Sequence, residues 1–241
     1  MTDNPSLFTS PTSHFLRELT LRNLLSFGPE AQPIALERLN VLIGPNGSGK
    51  SNFIEVVTLL SATTGDLHAV IRRGGGVREW IWKGAPKQVA LLDVVVSNPQ
   101  GTQPLRHVIA FREENQTFRL DDERIENAYP YSGTTEPYFF YRYQQGRPVL
   151  NINGAERRLA HEMVESDASI LAQRRDPEAY PEVSYLARAY EKIRVYRERT
   201  FGRNTVFREP QKADMRNDRL EEDFSNVLRI RVARSRHTIL G

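Results

Sequence analysis

At 241 residues, the chain is long enough for one substantial core, or for one core with a smaller lobe. A charged fraction of 26% and a hydrophobic fraction of 39% fit a soluble globular fold, and the net charge of +3 is too small to argue for nucleic acid by itself. The absence of cysteine excludes disulfides, thiolate metal sites and cysteine nucleophiles and fits a reducing cytoplasm, and no apolar run approaches the ~20 residues that span a bilayer.

Residues 1–13 are polar, with neither a basic nor an apolar signal segment, and read as a flexible leader. Residues 15–24 alternate apolar and polar side chains, as a half-buried strand does, and 25–29 turn it. Residues 33–36 form a short second strand. The apolar run 39–43 reads as a buried strand. A helix follows over 50–62, with Phe53, Ile54, Val56, Val57, Leu59 and Leu60 as its apolar positions, and a shorter one over 67–73. Gly74-Gly75-Gly76 reads as a flexible joint, and Trp80 and Trp82, alternating with Ile81, as a strand or packed turn.

Strand character then recurs at 89–96, 105–111, 118–125, 138–143 and 148–152, with turn signals at short intervals. This predicts an antiparallel lobe over about 87–153. From Gln173 the pattern becomes helical. Tyr180-Pro181-Glu182 resembles a helix start, and Val183, Leu186, Ala187, Tyr190 and Ile193 recur at helical spacing within a segment of about 177–195. Residues 193–196 read as a strand, 199–218 as a polar segment, and 229–241 as a basic tail.

The chemistry is concentrated in Gly44-Pro45-Asn46-Gly47-Ser48-Gly49-Lys50-Ser51, which meets G-x-x-x-x-G-K-[ST] at every fixed position. The apolar run before it and the helix after it are the context a phosphate loop needs. Backbone N–H groups and a helix N-terminus face the phosphates, Lys50 neutralises them as the catalytic cation, and the Ser51 hydroxyl joins the shell of Mg²⁺. Asn52 extends the binding segment. The five histidines are scattered without ligand spacing, so zinc is not expected.

The phrase 39–52, preceded by Asn23-Leu24-Leu25-Ser26-Phe27, resembles the opening of RecF-like and SMC-like ATPases, the ABC-type heads. Arg72-Arg73-Gly74-Gly75-Gly76 through Trp82-Lys83-Gly84 resembles a bacterial group of AAA-type ATPases of this class, as do residues 197–201, 210–214 and 220–226. The resemblance covers 15–228. It implies an α/β head with a mixed sheet around the phosphate loop, an antiparallel β lobe and a helical segment. It also implies ATP and Mg²⁺ as cofactors, Gln173 as a metal-sensing ligand beside Ser51, DNA as a partner, and homodimerisation. The implied processes are DNA repair, chromosome maintenance or phage defence.

The family's Ser/Gly-rich signature, its apolar strand ending Asp-Glu and its switch histidine have no match here. Leu91-Leu92-Asp93 comes nearest, but Val94 stands in the glutamate's place, so Asp93 reads as part of an ordinary core strand. The expectation is the N-terminal part of a head, which binds ATP and hydrolyses it slowly or not at all unless a second chain supplies those segments. The competing reading is a degenerate binding module without catalysis. A small-molecule kinase fits less well, because no arginine lid follows the loop.

Overall fold

The computed structural model describes residues 14–84, 88–144, 146–152, 154–159, 165, 167–197, 220, 221 and 226. The leader, the basic tail and the whole polar segment 199–218 lie outside these residues. The chain divides into two compact units, Met1–Lys192 and Ile193–Gly241. In the second, the Tyr196 hydroxyl donates to the Leu220 carbonyl at 3.0 Å and the Glu221 N–H to Asn226 Oδ1 at 2.9 Å. Residues 193–196, expected as a strand, are in no strand.

The first unit is built on one eight-stranded sheet. Its strands are β1 (Leu16–Arg22), β2 (Ile34–Ala35), β3 (Ala90–Val96), β4 (Leu105–Glu114), β5 (Thr117–Asn127), β6 (Phe139–Gln144), β7 (Arg147–Ile152) and β8 (Ala155–Arg158), in the order β2-β1-β3-β4-β5-β6-β7-β8. Every pairing between these strands is antiparallel. The expected lobe and the strands near the phosphate loop are therefore one continuous sheet. The parallel pairings of a mixed sheet are not made among the described residues, because 39–43 joins no described strand. The β4–β5 hairpin turns on Asn115 (φ 52°) and Gln116 (φ 65°), two successive left-handed residues as a type I′ turn requires. The Glu113 carboxylate accepts the Gln116 N–H at 2.7 Å and so helps hold this geometry.

Alternation sorts the sheet into two faces. Leu19, Leu21, Leu92, Val94, Leu105, Ile109, Phe111, Ile125, Tyr141 and Leu150 form the buried one. The helices α1 (Lys50–Ala62), α2 (Leu67–Arg73), α3 (Val77–Trp80), α4 (Ile170–Gln173) and α5 (Pro181–Tyr190) bring Leu59, Leu60, Ile71, Trp80, Leu171, Val183 and Leu186 into the same core. The other face is charged and internally paired. Arg106 forks onto Asp93 (2.6–3.2 Å) and reaches Glu126 at 3.1 Å, and Arg124 pairs with Asp122 at 3.0 Å. Asp93 is thus bound to an arginine across the sheet, as its reading in an ordinary strand implies.

Four buried polar groups tie the helices to the sheet. Burial, and then the charge of Glu123, hold the Tyr190 phenol well above its ordinary pKa. Tyr190 therefore keeps its proton, and its hydroxyl shares a hydrogen bond with His107 Nδ1, 3.2 Å away. His107 Nε2 meets Glu123 Oε1, also at 3.2 Å. Glu123 further accepts the Ser169 hydroxyl on Oε1 and the Ile170 N–H on Oε2 at 2.9 Å, which caps α4. His107 and Glu123 are each 0% exposed.

Gly74-Gly75-Gly76 is not the flexible joint its composition suggests. All three N–H groups donate into the end of α2, to Val70, Arg72 and Ile71. Gly75 and Gly76 take φ of 95° and 91°, and a Cβ at Gly74 would run into the Trp80 ring. Glycine is needed here for close packing rather than for freedom.

Candidate functional site

The phosphate loop runs from Gly44 into α1. Gly47 (φ 80°) and Gly49 (φ 91°) are left-handed, and Gly49 is the residue from which α1 starts. A Cβ on Gly44 would lie 2.8 Å from Ser48 Oγ, and one on Gly49 would lie 2.8 Å from Ser26 Oγ. The loop therefore closes too tightly for side chains at those two points. The Lys50 ammonium folds back over it and donates to the Gly44 and Pro45 carbonyls, both at 2.7 Å, and to Ser48 Oγ at 3.3 Å. Ser51 is exposed on the first turn of α1, Asn52 is half-buried beside it, and that turn carries no acidic residue. A cation, a hydroxyl and the positive end of a 13-residue helix thus meet with no carboxylate on that turn to repel an anion.

Behind the loop lies a tight turn at the end of β1, with Asn23 (φ 50°) and Leu25 (φ 53°) both left-handed. Such backbone persists only when its surroundings over-determine it. Here Leu24 and Phe27 exchange both backbone bonds, the Leu25 N–H donates to Trp80 O at 2.7 Å, the Trp82 N–H donates to Asn23 O at 2.9 Å, and Asn23 Nδ2 donates to Val89 O at 3.2 Å. The bracing by the Trp80–Trp82 segment was not legible in the sequence. Its effect is to set Ser26 and the Phe27 ring edge against Gly49.

Residues 39–43 depart from expectation. They form no strand and pair with none, with Leu39 82%, Val41 72%, Leu42 42% and Ile43 91% exposed. A strand buried in a parallel sheet needs a partner on each side, and no described strand lies beside this one.

Gln173 ends α4, and its amide serves its own loop. Its Oε1 accepts the Glu165 N–H at 2.7 Å, and its Nε2 donates to the Ala168 carbonyl at 2.8 Å and the Glu165 carbonyl at 3.2 Å. Its hydrogen bonds therefore run within 165–173 and not to the phosphate loop. Arg72 and Arg73 are exposed at the end of α2, where Arg72 meets Asp66 at 3.5 Å and Arg73 Nε reaches the Ala69 carbonyl at 3.4 Å. Among the described residues, no His/Cys/Asp/Glu group is arranged to hold a metal, and no helix is long and apolar enough to cross a membrane.

Gly49→Ala is expected to weaken anion binding at this loop at least tenfold, because it adds ~1–2 kcal/mol of left-handed strain and a collision with Ser26. Gly47→Ala carries the strain alone, since nothing lies within 4 Å of its Cβ position. Titration calorimetry on the two variants checks the order, and equal losses would refute the role given to Ser26.

The family described as AAA domain, putative AbiEii toxin, Type IV TA system, matches residues 39–235. The chromosome partition protein Smc of Mycolicibacterium paratuberculosis is 34% identical over 100 residues, which is 39% of this chain and 8% of that protein. The protein of the same name from Desulfitobacterium hafniense is 29% identical over 163 residues, 60% of this chain and 13% of that one. The chain thus spans only a small part of the length of the curated relatives it matches. No solved structure matches it.

Proposed function

The chain belongs to that AAA domain family and is an AAA/ABC-like P-loop ATPase of the SMC/RecF class, and from this premise we propose that it binds ATP with Mg²⁺ through residues 44–52. The observation that carries the reading is the Lys50 ammonium, held over the loop by two carbonyls and a hydroxyl at an acid-free helix start. Incoming phosphate oxygens replace those three weak acceptors with charged ones. Ser51 and Gln173 are the proposed metal ligands, Gln173 after releasing its own loop. Bound Mg²⁺ would neutralise phosphate charge. Lys50 orients the phosphates, and Ser26 and Phe27 keep the loop in its phosphate-ready shape.

Hydrolysis also needs a carboxylate that orients water. The nearest sequence match, Asp93, is occupied by Arg106. We therefore propose slow or no turnover by the chain alone, with the missing groups supplied by a second polypeptide whose strand covers the apolar side chains of 39–43. DNA as the object, homodimerisation, and a role in DNA repair, chromosome maintenance or phage defence extend the reading from the relatives' class and printed names. The second reading is a binding module without catalysis, favoured by the same unpaired segment. Calorimetry of ATP with and without Mg²⁺, paired with phosphate release, tests both. Binding heat without release above background is expected, no heat removes the first reading, and fast release by the chain alone removes the second.

A further inference from the structure

We infer that the arginine-lined groove between β8 and α5 is a second anion site that takes a phosphate monoester on a ring-bearing body. Two adjoining cavities of about 360 and 320 Å³ share Arg175 as a common wall. The first is lined by Arg157 from β8 together with Arg174, and the second by Arg188 from α5. Four guanidinium groups thus face two carboxylates, Asp176 and Glu191.

Both acids are already engaged. Asp176 Oδ1 accepts the N–H groups of Glu178 and Ala179 at 2.9 and 3.0 Å. Glu191 pairs with Arg175 at 2.5 Å, and Arg175 also donates to the Thr64 carbonyl, so this arginine is fixed in place. Arg157 and Arg188, by contrast, are exposed and hold no partner among the described residues. The groove therefore carries an excess of about two positive charges, which matches the −1.5 to −2 of a phosphate monoester better than the single charge of a carboxylate.

A second observation points independently to a ligand. Ser184 lines the smaller cavity, is 1% exposed, and its hydroxyl has no hydrogen-bond partner among the described residues. A buried hydroxyl without an acceptor is costly, and a bound phosphoryl oxygen would supply one. Ser184 and Arg188 stand one turn apart on the same side of α5, so one phosphoryl group can engage both. Pro177, Ala187 and Tyr180 give the walls an apolar character that suits a ring.

The inference does not rest on nucleotide binding at the phosphate loop, so its test uses the full-length Lys50→Ala chain. Phenyl phosphate is titrated against it while the arginine side-chain Nε–H signals are followed by NMR. Saturable shifts of the Arg157, Arg175 or Arg188 signals are expected, with affinity at least about tenfold above that of benzoate. The Arg157→Gln/Arg188→Gln double variant is expected to bind at least about tenfold more weakly. Both arginines are exposed and unpaired, so circular dichroism is expected to show this variant folded. Adenosine monophosphate in parallel identifies the source: tighter binding than phenyl phosphate means a nucleotide, weaker an aryl phosphate, and both support the site. No saturable shift, equal affinity for benzoate, or undiminished binding by the double variant overturns it.

Discussion

Lys50→Ala is expected to erase the thermal stabilisation that Mg-ATP gives the chain while leaving the apo protein as stable as before. At one hundred times its Kd, a ligand of the folded state adds about 2.7 kcal/mol, so the parent chain should melt several degrees higher with nucleotide. The variant loses the ammonium proposed to meet the phosphates at residues 44–52. Its own stability should stay within about 0.5 kcal/mol, because Lys50 touches only its own exposed loop. Differential scanning calorimetry with and without Mg-ATP gives both quantities. A Lys50→Ala chain that still shifts by the parental amount would place nucleotide somewhere other than residues 44–52.

The second large effect is structural. Glu123→Ala is expected to destabilise the first unit by about 3–5 kcal/mol, the range for removing one partner of a buried charged network. The substitution strands His107 Nε2, the Ser169 hydroxyl and the Ile170 N–H together, away from water. It also leaves Ser169 Oγ, which accepts the Leu171 N–H, as the one side-chain acceptor among the described residues at the start of α4, on which Gln173 sits. Glu123→Gln keeps an acceptor and the shape, so its cost is expected to fall to about 1–2 kcal/mol. Urea unfolding followed through Trp80 and Trp82 measures both. If Glu123→Ala costs under about 1 kcal/mol, the network does not hold the helices to the sheet.

How far the sequence revealed this molecule depends on how local each signal is. The glycine-rich turn and α1 were legible because the turn's fixed residues and the helix's apolar positions are contiguous in the chain. The strands β3 to β7 were legible through alternation. β8 was not, because Ala155–Arg158 is exposed throughout and charged, and it is a strand only through pairing with β7. α3 and α4 have four residues each, too few for any periodicity, although Ser169 as the cap of α4 was a signal available to find the second.

Glu123 was hidden for a more specific reason. The chain reads Asp121-Asp122-Glu123-Arg124, an ordinary solvated run, and Phe118 and Leu120 set an even-numbered inward phase. A register shift in the β4–β5 ladder, between Ala110 and Phe111, moves the inward phase to odd numbers, and Glu123 falls inside with Ile125. Residues 39–43 were misjudged from the opposite direction. Their apolar character was read correctly, but burial depends on neighbours that no local pattern encodes.

From β3 to β8 the sheet follows the chain, each strand lying beside the one made just before it. Such a meander needs no distant partner, so it can zip up behind the ribosome as translation proceeds, with each hairpin extending a surface already in place. Only β1 must wait for β3, across the whole phosphate-loop segment between them. The β1–β3 ladder is therefore expected to close more slowly than each hairpin, and pulse-labelling of stalled nascent chains would show its amides gaining protection longer after their synthesis than those of β4 and β5.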